Sequence, residues 1–422
     1  VTSTIKGSTL TTTGTDVTAG SDSQVVNLAG QLAAGGKVGM GLGVAYNSLR
    51  NTTGAYVEGS TIGNDTQAND LTVDAANKGK VYAVGAAVVG GDKAALNGVV
   101  VVNHGRNDVE AQVKGMTVLD KDGKAQSYGT NLNNMGNVSV HATDSSSQLG
   151  VIGSLGISSQ GVALGGSVAM NEIGSLLGEA DKKVQENRAL IEDTTITLAD
   201  EGRVAVAADD TSKLTTVAVG TSLSGGSCAL QGVGTVALID KSTDAAIKKT
   251  IIKNVDATKH STAVAVDADN TSKITTVGIV AAASGKVAGG AGITVNKIAS
   301  DTNASVAGGT YDVKGLQVNS SSAESITAIG VGVSAAEMAG LAGNMAINRI
   351  GNDTSASLDD ATVTAVQDIG VVSTSSDTIK NYAGTLGAGG KLGAGMSVSY
   401  NELTGSTTSS VATATACSRC ET

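Results

Sequence analysis

LAGNMAINRIGNDTSASL, from Leu341 to Leu358, is the stretch from which the rest of the chain can be read, because versions of it return along nearly the whole sequence. With the asparagine after each apolar pair as anchor, the copies fall at Asn47, Asn103, Asn171, Asn296, Asn348 and Asn401, with Ile239 of TVALIDK in the same place in one degenerate copy. Successive differences between these positions are 56, 68, 68, 57, 52 and 53 residues. Self-similarity at such a period marks a solenoid, a propeller or an array, and it outweighs any single motif.

The offsets around the anchor predict strands. Apolar residues stand three and one before it, as in Val44 and Tyr46, Ile293 and Val295, or Met345 and Ile347, which is the period of two of a β-strand. After the anchor the apolar or small positions fall at even offsets, as in Ile298, Ala304 and Val306. One residue of phase is lost at the asparagine, so the chain is expected to bend there to keep its apolar set inside. Asn47, Asn103, Asn171, Asn296, Asn348 and Asn401 are therefore read as inward-pointing structural corners, each hydrogen-bonded to local backbone.

A second phrase recurs between anchors: DVTAGSDS from Asp16, TVDAANKG from Thr72, AVAADDTSK from Ala205 and AVDADNTSK from Ala265. Short β-branched runs closed by Asx and Gly turns suit a coiled sheet. The expectation is an all-β, right-handed parallel β-helix, continuous over 1–422, with repeats at 1–24 (partial), 25–83, 84–148, 149–216, 217–276, 277–328, 329–381 and 382–416 (partial) and a tail at 417–422. With 18 to 20 residues per rung, each repeat would hold about three rungs and the chain about 22, a rod on the order of 100 Å long. Three insertions, 119–137, 178–193 and 246–260, are expected as loops on one face; 178–193 is compatible with a helix whose apolar edge is Val184, Ala189 and Leu190.

Composition agrees with a narrow aliphatic interior. The 422 residues include 57 Gly, 7 Tyr and no Pro, Trp or Phe. Stacked Val, Ile, Leu and Ala fill a solenoid without large aromatics, and Pro would remove a ladder hydrogen bond from a central strand. A hydrophobic share of 41% in strict alternation argues against disorder. The formal charge of −10 repels nucleic acid and anionic membrane, and apolar runs such as Val99–Val102 are too short to cross a bilayer as a helix. Neither nucleic acid nor membrane insertion is expected. The chain begins at Val1 and is read as a portion of something longer.

Candidate chemistry is sparse. Cys228 lies in a small-residue strand phrase and reads as an inert filler, while Cys417 and Cys420 form CSRC, which no second pair completes into a zinc site. His104 and His141 read as exposed strand substitutions, and His260 falls in the third insertion. The carboxylate pairs Asp209–Asp210 and Glu192–Asp193 lie in a turn and an insertion; sugar cleavage needs paired carboxylates over one cleft. AAGGKVG (33–39) and GAGGKLG (387–393) lack the GK[ST] ending of a phosphate loop and occupy the same repeat position, so they read as corners. No catalytic residue, cofactor or metal is expected.

The phrase seen most clearly in GKVAGGAGITVNKIASDTNASV and MAGLAGNMAINRIGNDTSASL resembles the repeats of leukotoxin-type, filamentous haemagglutinin-like adhesins, large bacterial proteins of the two-partner secretion class. The resemblance covers the repeat region and implies a non-enzymatic segment of an extracellular filament or surface adhesin. Its partners would be a host or bacterial cell-surface receptor, or neighbouring copies of itself. Two alternatives stand beside it: a self-assembling fibre subunit docking end to end through its terminal rungs, and a polysaccharide-acting β-helix enzyme.

Overall fold

The computed structural model describes residues 1–174 and 184–418, with the side chains of 416–418 outside the description. Among the described residues there is no helix, and the strands form a 20-stranded sheet, a 7-stranded sheet and one two-stranded hairpin. Pairing in both large sheets is parallel, and each strand pairs with its counterpart one repeat further on. Ala263–Asn270 lies beside Gly315–Ser322, Lys273–Ser284 beside Ser325–Ala336, and Val287–Val313 beside Ala339–Asp359. The path is that of a solenoid, and one sequence repeat is one coil.

That register corrects the expected rung count. Each coil holds a short strand, a 12-residue return strand and a long strand of up to 27 residues, not three rungs of 18 to 20 residues. The seven return strands, beginning with Gln24–Gly35 and ending with Thr378–Gly389, number the coils. At about 4.8 Å per step, six steps span roughly 29 Å along the stack, while a 12-residue strand is about 40 Å long. The molecule is therefore wide and shallow, not a rod of 22 rungs and about 100 Å.

The phase argument is also corrected. Burial alternates without a break through Asn47, Asn103, Asn296 and Asn348: Thr294, Asn296, Ile298, Ser300 and Thr302 are all buried, and Ile293 is exposed; beside Asn171 the next residue, Glu172, is buried too, and Asn401 lies on the exposed last coil. The apolar residues three and one before the anchor thus face outward, and the asparagines lie within strands, not at corners, five in strands of 21 or 27 residues and Asn171 in the 12-residue Val162–Ile173. What changes at the asparagine is the size of the inward residues. Before it they are mostly small, Val99, Val101 and Val233 being the larger ones; after it they include Ile298, Ala304 and Val306 together with the polar Ser300 and Thr302.

Two regions of cross-section follow. In the first, the short strand and the far half of the long strand enclose a continuous aliphatic core, including Val73, Val140, Val206, Val266, Val318 and the buried Tyr311. In the second, the return strand and the near half of the long strand form a thin blade. There the sheets approach so closely that a Cβ on Gly39 would lie 2.1 Å from the Gly90 carbonyl oxygen, and one on Gly340 2.0 Å from that of Ala388. Gly, Ala and Ser predominate between them, with Val99, Val101, Ile152, Val233 and Val280 packed among them as a small aliphatic cluster. AAGGKVG and GAGGKLG form two of the tip turns joining the return strand to the long strand.

The true corners lie twelve residues beyond the anchor position. Gly59, Lys249, Gly308, Asp360 and Thr413 have φ between 47° and 71°, and Asp193 takes the equivalent place in the third coil at 48°. A left-handed residue here turns the chain out of one face and into the next.

Candidate functional site: polar columns inside the coil

The features that depart from an aliphatic solenoid are columns of buried polar side chains running along the stack. The first consists of the anchor asparagines. Parallel register places Asn47 against Asn103, Asn103 against Asn171, Asn296 against Asn348 and Asn348 against Asn401. The Asn47 Nδ2 donates to Asn103 Oδ1 at 2.7 Å, and Asn103 Nδ2 to Asn171 Oδ1 at 2.6 Å. The second run repeats this, Asn296 to Asn348 at 2.7 Å and Asn348 to Asn401 at 2.8 Å. Strand spacing in a parallel sheet matches the length of an amide-to-amide hydrogen bond, so identical residues satisfy one another. These side chains bond mainly across coils, not to local backbone as the corner reading required. Five of the six are buried, and Asn401 on the last coil is exposed.

Between the two runs the ladder is broken by Ala237, which the register places opposite Asn171 and Asn296. Ile239, the residue expected at the anchor position, lies two further on against Ile173 and Ile298. The amide nitrogens on either side turn to hydroxyls of the return strands. Asn171 donates to Thr216 Oγ1 and Asn296 to Thr276 Oγ1, the latter at 2.9 Å, while Asn296 Oδ1 is left without a hydrogen-bond partner.

A second column fills the bend between short and return strands. It contains Asn77, Asp144, Asp210, Asn270 and Ser322 in register on the short strands, and Lys241, Ser300 and Asn352 on the facing long strands. Lys241 is fully buried, with its Nζ 2.5 Å from Asp144 Oδ2, in contact with Asp210 Oδ2, and 2.5 Å from Ser212 Oγ. Asp144 also accepts from Asn77 Nδ2, Gln185 Nε2 and Ser146 Oγ, each at 2.7 Å. Burial raises the Asp210 carboxyl, opposed by the adjacent ammonium and reinforced by Asp144. The two neighbouring carboxylates hold Lys241 in its charged form, above its ordinary value despite burial.

Two coils on, Glu324 occupies the same bend. Its Oε1 accepts from Asn270 at 3.0 Å and from Ser300, and Oε2 has no partner. Burial, with Asp377 and Asp210 nearby, raises its pKa to about 8, so it carries its proton at neutral pH. This column holds a protonated acid and a triad of one cation and two carboxylates inside the coil, where each group is satisfied mainly by its neighbours. Asn and Asp at the ends of the DAAN and DADN phrases were the available signal for it, but they read as turn residues because their inward orientation depends on the coil.

The other candidates separate. Asp209 and Asp210 are neighbours on one strand and face opposite ways, Asp209 outward beside His141 at 2.6 Å and Asp210 into the core. His141 is raised above its usual value chiefly by that bond to Asp209. His104 is largely covered, 3.1 Å from Glu172 Oε2, and so is not an exposed substitution. His260 contacts Asp312. Glu192 ends a strand and Asp193 forms the corner after it. Cys228 is half-buried with a free thiol, whereas Cys420 lies outside the described residues. No group of three or more His, Cys, Asp or Glu among the described residues is arranged to hold a metal ion.

The insertions are smaller than their sequence spans. In 119–137, Met116–Leu119 and Ala125–Tyr128 pair as a hairpin, while residues from Thr130 onward rejoin the stack. In 178–193, Gln185–Glu192 is a strand that buries Ala189 and Leu190, correcting the helical expectation; 178–183 lie outside the described residues. In 246–260, Ala246–Asn254 belongs to the long strand Cys228–Asn254, leaving a loop only after Asn254. The hairpin leaves the coil after Lys114, and this loop leaves one bend later.

Comparison of the chain with protein-family models, with curated proteins and with solved structures finds no match.

Proposed function

We propose that the chain is a structural and adhesive segment of an extracellular bacterial filament or surface adhesin, wound as a right-handed parallel β-helix. The observation that carries this reading is the parallel register of seven coils, stacked through backbone ladders and internal amide columns. Such a stack resists unwinding because each coil contacts mainly its two neighbours over a wide surface. Repeated coils also offer repeated outer loops, so weak individual contacts to a host or bacterial cell-surface receptor add through multivalency. The reading assigns the chain no catalytic reaction, no cofactor, and no binding to nucleic acid.

A specific observation favours a second reading, a fibre subunit that docks end to end. Gln24–Gly35 pairs on one side only, with Lys80–Gly91, and Thr378–Gly389 pairs on one side only, with Ser325–Ala336. Open strand edges at both ends of the stack are templates for another chain. The adhesive reading is tested by adding the labelled purified chain to cultured host cells and to bacterial cells. It predicts saturable binding that unlabelled chain competes away; an absence of competed binding to both, together with fibres in electron micrographs, would favour the end-docking subunit.

A further inference from the structure

The blade is apolar on its outside. On the long strands, five outward positions in each of the seven coils, the columns beginning at Val38, Met40, Leu42, Val44 and Tyr46, carry no charged side chain. The next column is polar or charged in six coils, with Ser48, His104, Glu172, Lys297, Arg349 and Glu402 around Leu238. Even in the middle of the stack, where coils above and below give cover, Leu230 is 45% exposed and Ile293 48%. The return-strand face repeats the pattern: columns starting at Leu28, Gly30, Leu32 and Ala34 are apolar but for Thr221, and the column at their base holds Lys80, Lys213 and Lys273.

We propose that the long-strand face of the blade packs against the same face of a second copy of this chain, burying the columns from Met40 to Tyr46. Seven strands about 4.8 Å apart, each offering eight or so residues at about 3.3 Å, make a face of roughly 900 Å². That matches the roughly 800 Å² per partner of a stable interface, and it exceeds the few hundred Å² of contiguous apolar surface a soluble monomer ordinarily exposes. The face has relief suited to another sheet. Leu164, Leu230, Leu341 and Met396 border a trough of about 620 Å³ floored by glycines such as Gly232 and Gly343. Leucine ridges of one copy fill the glycine trough of the other, with two sheets stacked about 10 Å apart. A partner chosen for its charge is disfavoured, because the five columns offer no charge to meet. Hydrocarbon is disfavoured because the blade is an open sandwich: its edge strands would carry unpaired backbone groups into lipid. The opposite apolar face lets the pairing repeat, so dimers extend sideways into a laminate.

The proposal deepens the structural role given above, and it can fail while adhesion to cells stands. Sedimentation velocity of the full chain over a wide concentration range is expected to show dimers or larger species. The double variant Leu230→Lys, Ile293→Lys alters outward side chains only and is expected to weaken the association at least tenfold, with an unchanged β-sheet circular dichroism spectrum. Val331→Lys on the opposite face is expected to leave the dimer intact and remove only larger species. The proposal is overturned if the wild-type chain is monomeric throughout, if the double variant associates as strongly as wild type, or if Val331→Lys dissociates the dimer equally. Flotation with phosphatidylcholine vesicles of a chain that is monomeric in buffer would also overturn it and make lipid the occupant.

Discussion

Ala237 shows how closely the interior is matched residue by residue. Where the column has asparagine, donors and acceptors are consumed along the stack; where it has alanine, Thr216 takes the donor that Asn171 has left over, and on the other side Asn296 Oδ1 is stranded while its nitrogen serves Asn348 and Thr276. Asn103→Ala would create a second gap without nearby hydroxyls, leaving the Asn47 donor and the Asn171 acceptor buried and unpaired. A loss of about 2 kcal/mol or more is expected, seen as a lower thermal unfolding midpoint. Glu324 gives a pH-dependent test. Its folded pKa of about 8 is raised above the unfolded value of 4.5. The stability it contributes is complete below the unfolded value and is lost as pH rises through the folded one, at up to about 1.4 kcal/mol per pH unit. Glu324→Gln keeps an acceptor for Asn270 and Ser300 and cannot ionise. Relative to wild type its unfolding midpoint is expected to rise progressively between about pH 5 and pH 8; parallel pH profiles would contradict the assignment. The repeat alone showed that the anchor asparagines recur. That they bond to each other depends on one repeat being one coil, which spacing alone leaves open.

At the level of the strand, alternation was legible and its sense was not. Val44 and Tyr46 look like core residues beside Gly43, Ala45 and Asn47, yet they face solvent. The physical reason is the blade: its two sheets approach so closely that mostly small side chains point inward, with Val99, Val101 and Val233 the larger exceptions, and many large apolar ones point outward. Past the asparagine the coil widens and the usual rule returns with Ile298, Ala304 and Val306. The corners fall at Gly59, Gly308 and Asp360, twelve residues beyond the apparent loss of phase, and at Asp193 in the equivalent place, because the strand runs on through the asparagine before it turns. Asp360 pays the backbone cost of a left-handed conformation with φ 48°. Asp360→Gly is expected to relieve about 1 kcal/mol of strain and raise the unfolding midpoint, whereas Gly308→Val at φ 71° should lower it. Similar midpoints for both variants would show that the corner does not need a left-handed residue.

For the whole molecule, the all-β class, the repeat and the absence of a large aromatic core followed from the sequence, and the proportions did not. A repeat of 52 residues can be one wide coil or three narrow ones, and composition favours neither. The register from Ala263 to Gly315 makes the unit a complete coil. Deleting 263–314 should therefore bring the fourth coil directly onto the sixth, giving a soluble protein that keeps its β-sheet spectrum with a modest loss of thermal stability. Deleting only 263–286 would leave a long strand without its return strand, and misfolding is expected.

The most direct test of the coil assignment is the distance between the first coil and the seventh. Nitroxide labels at Ser48→Cys and Glu402→Cys, outward positions of the same register column, would be placed in a chain with Cys228, Cys417 and Cys420 replaced by serine. The labelled chain would be diluted with unlabelled chain and measured by double electron–electron resonance. Six strand steps predict a separation of roughly 30 Å, broadened by the label arms. A separation beyond about 60 Å would mean several rungs per repeat and would contradict the account.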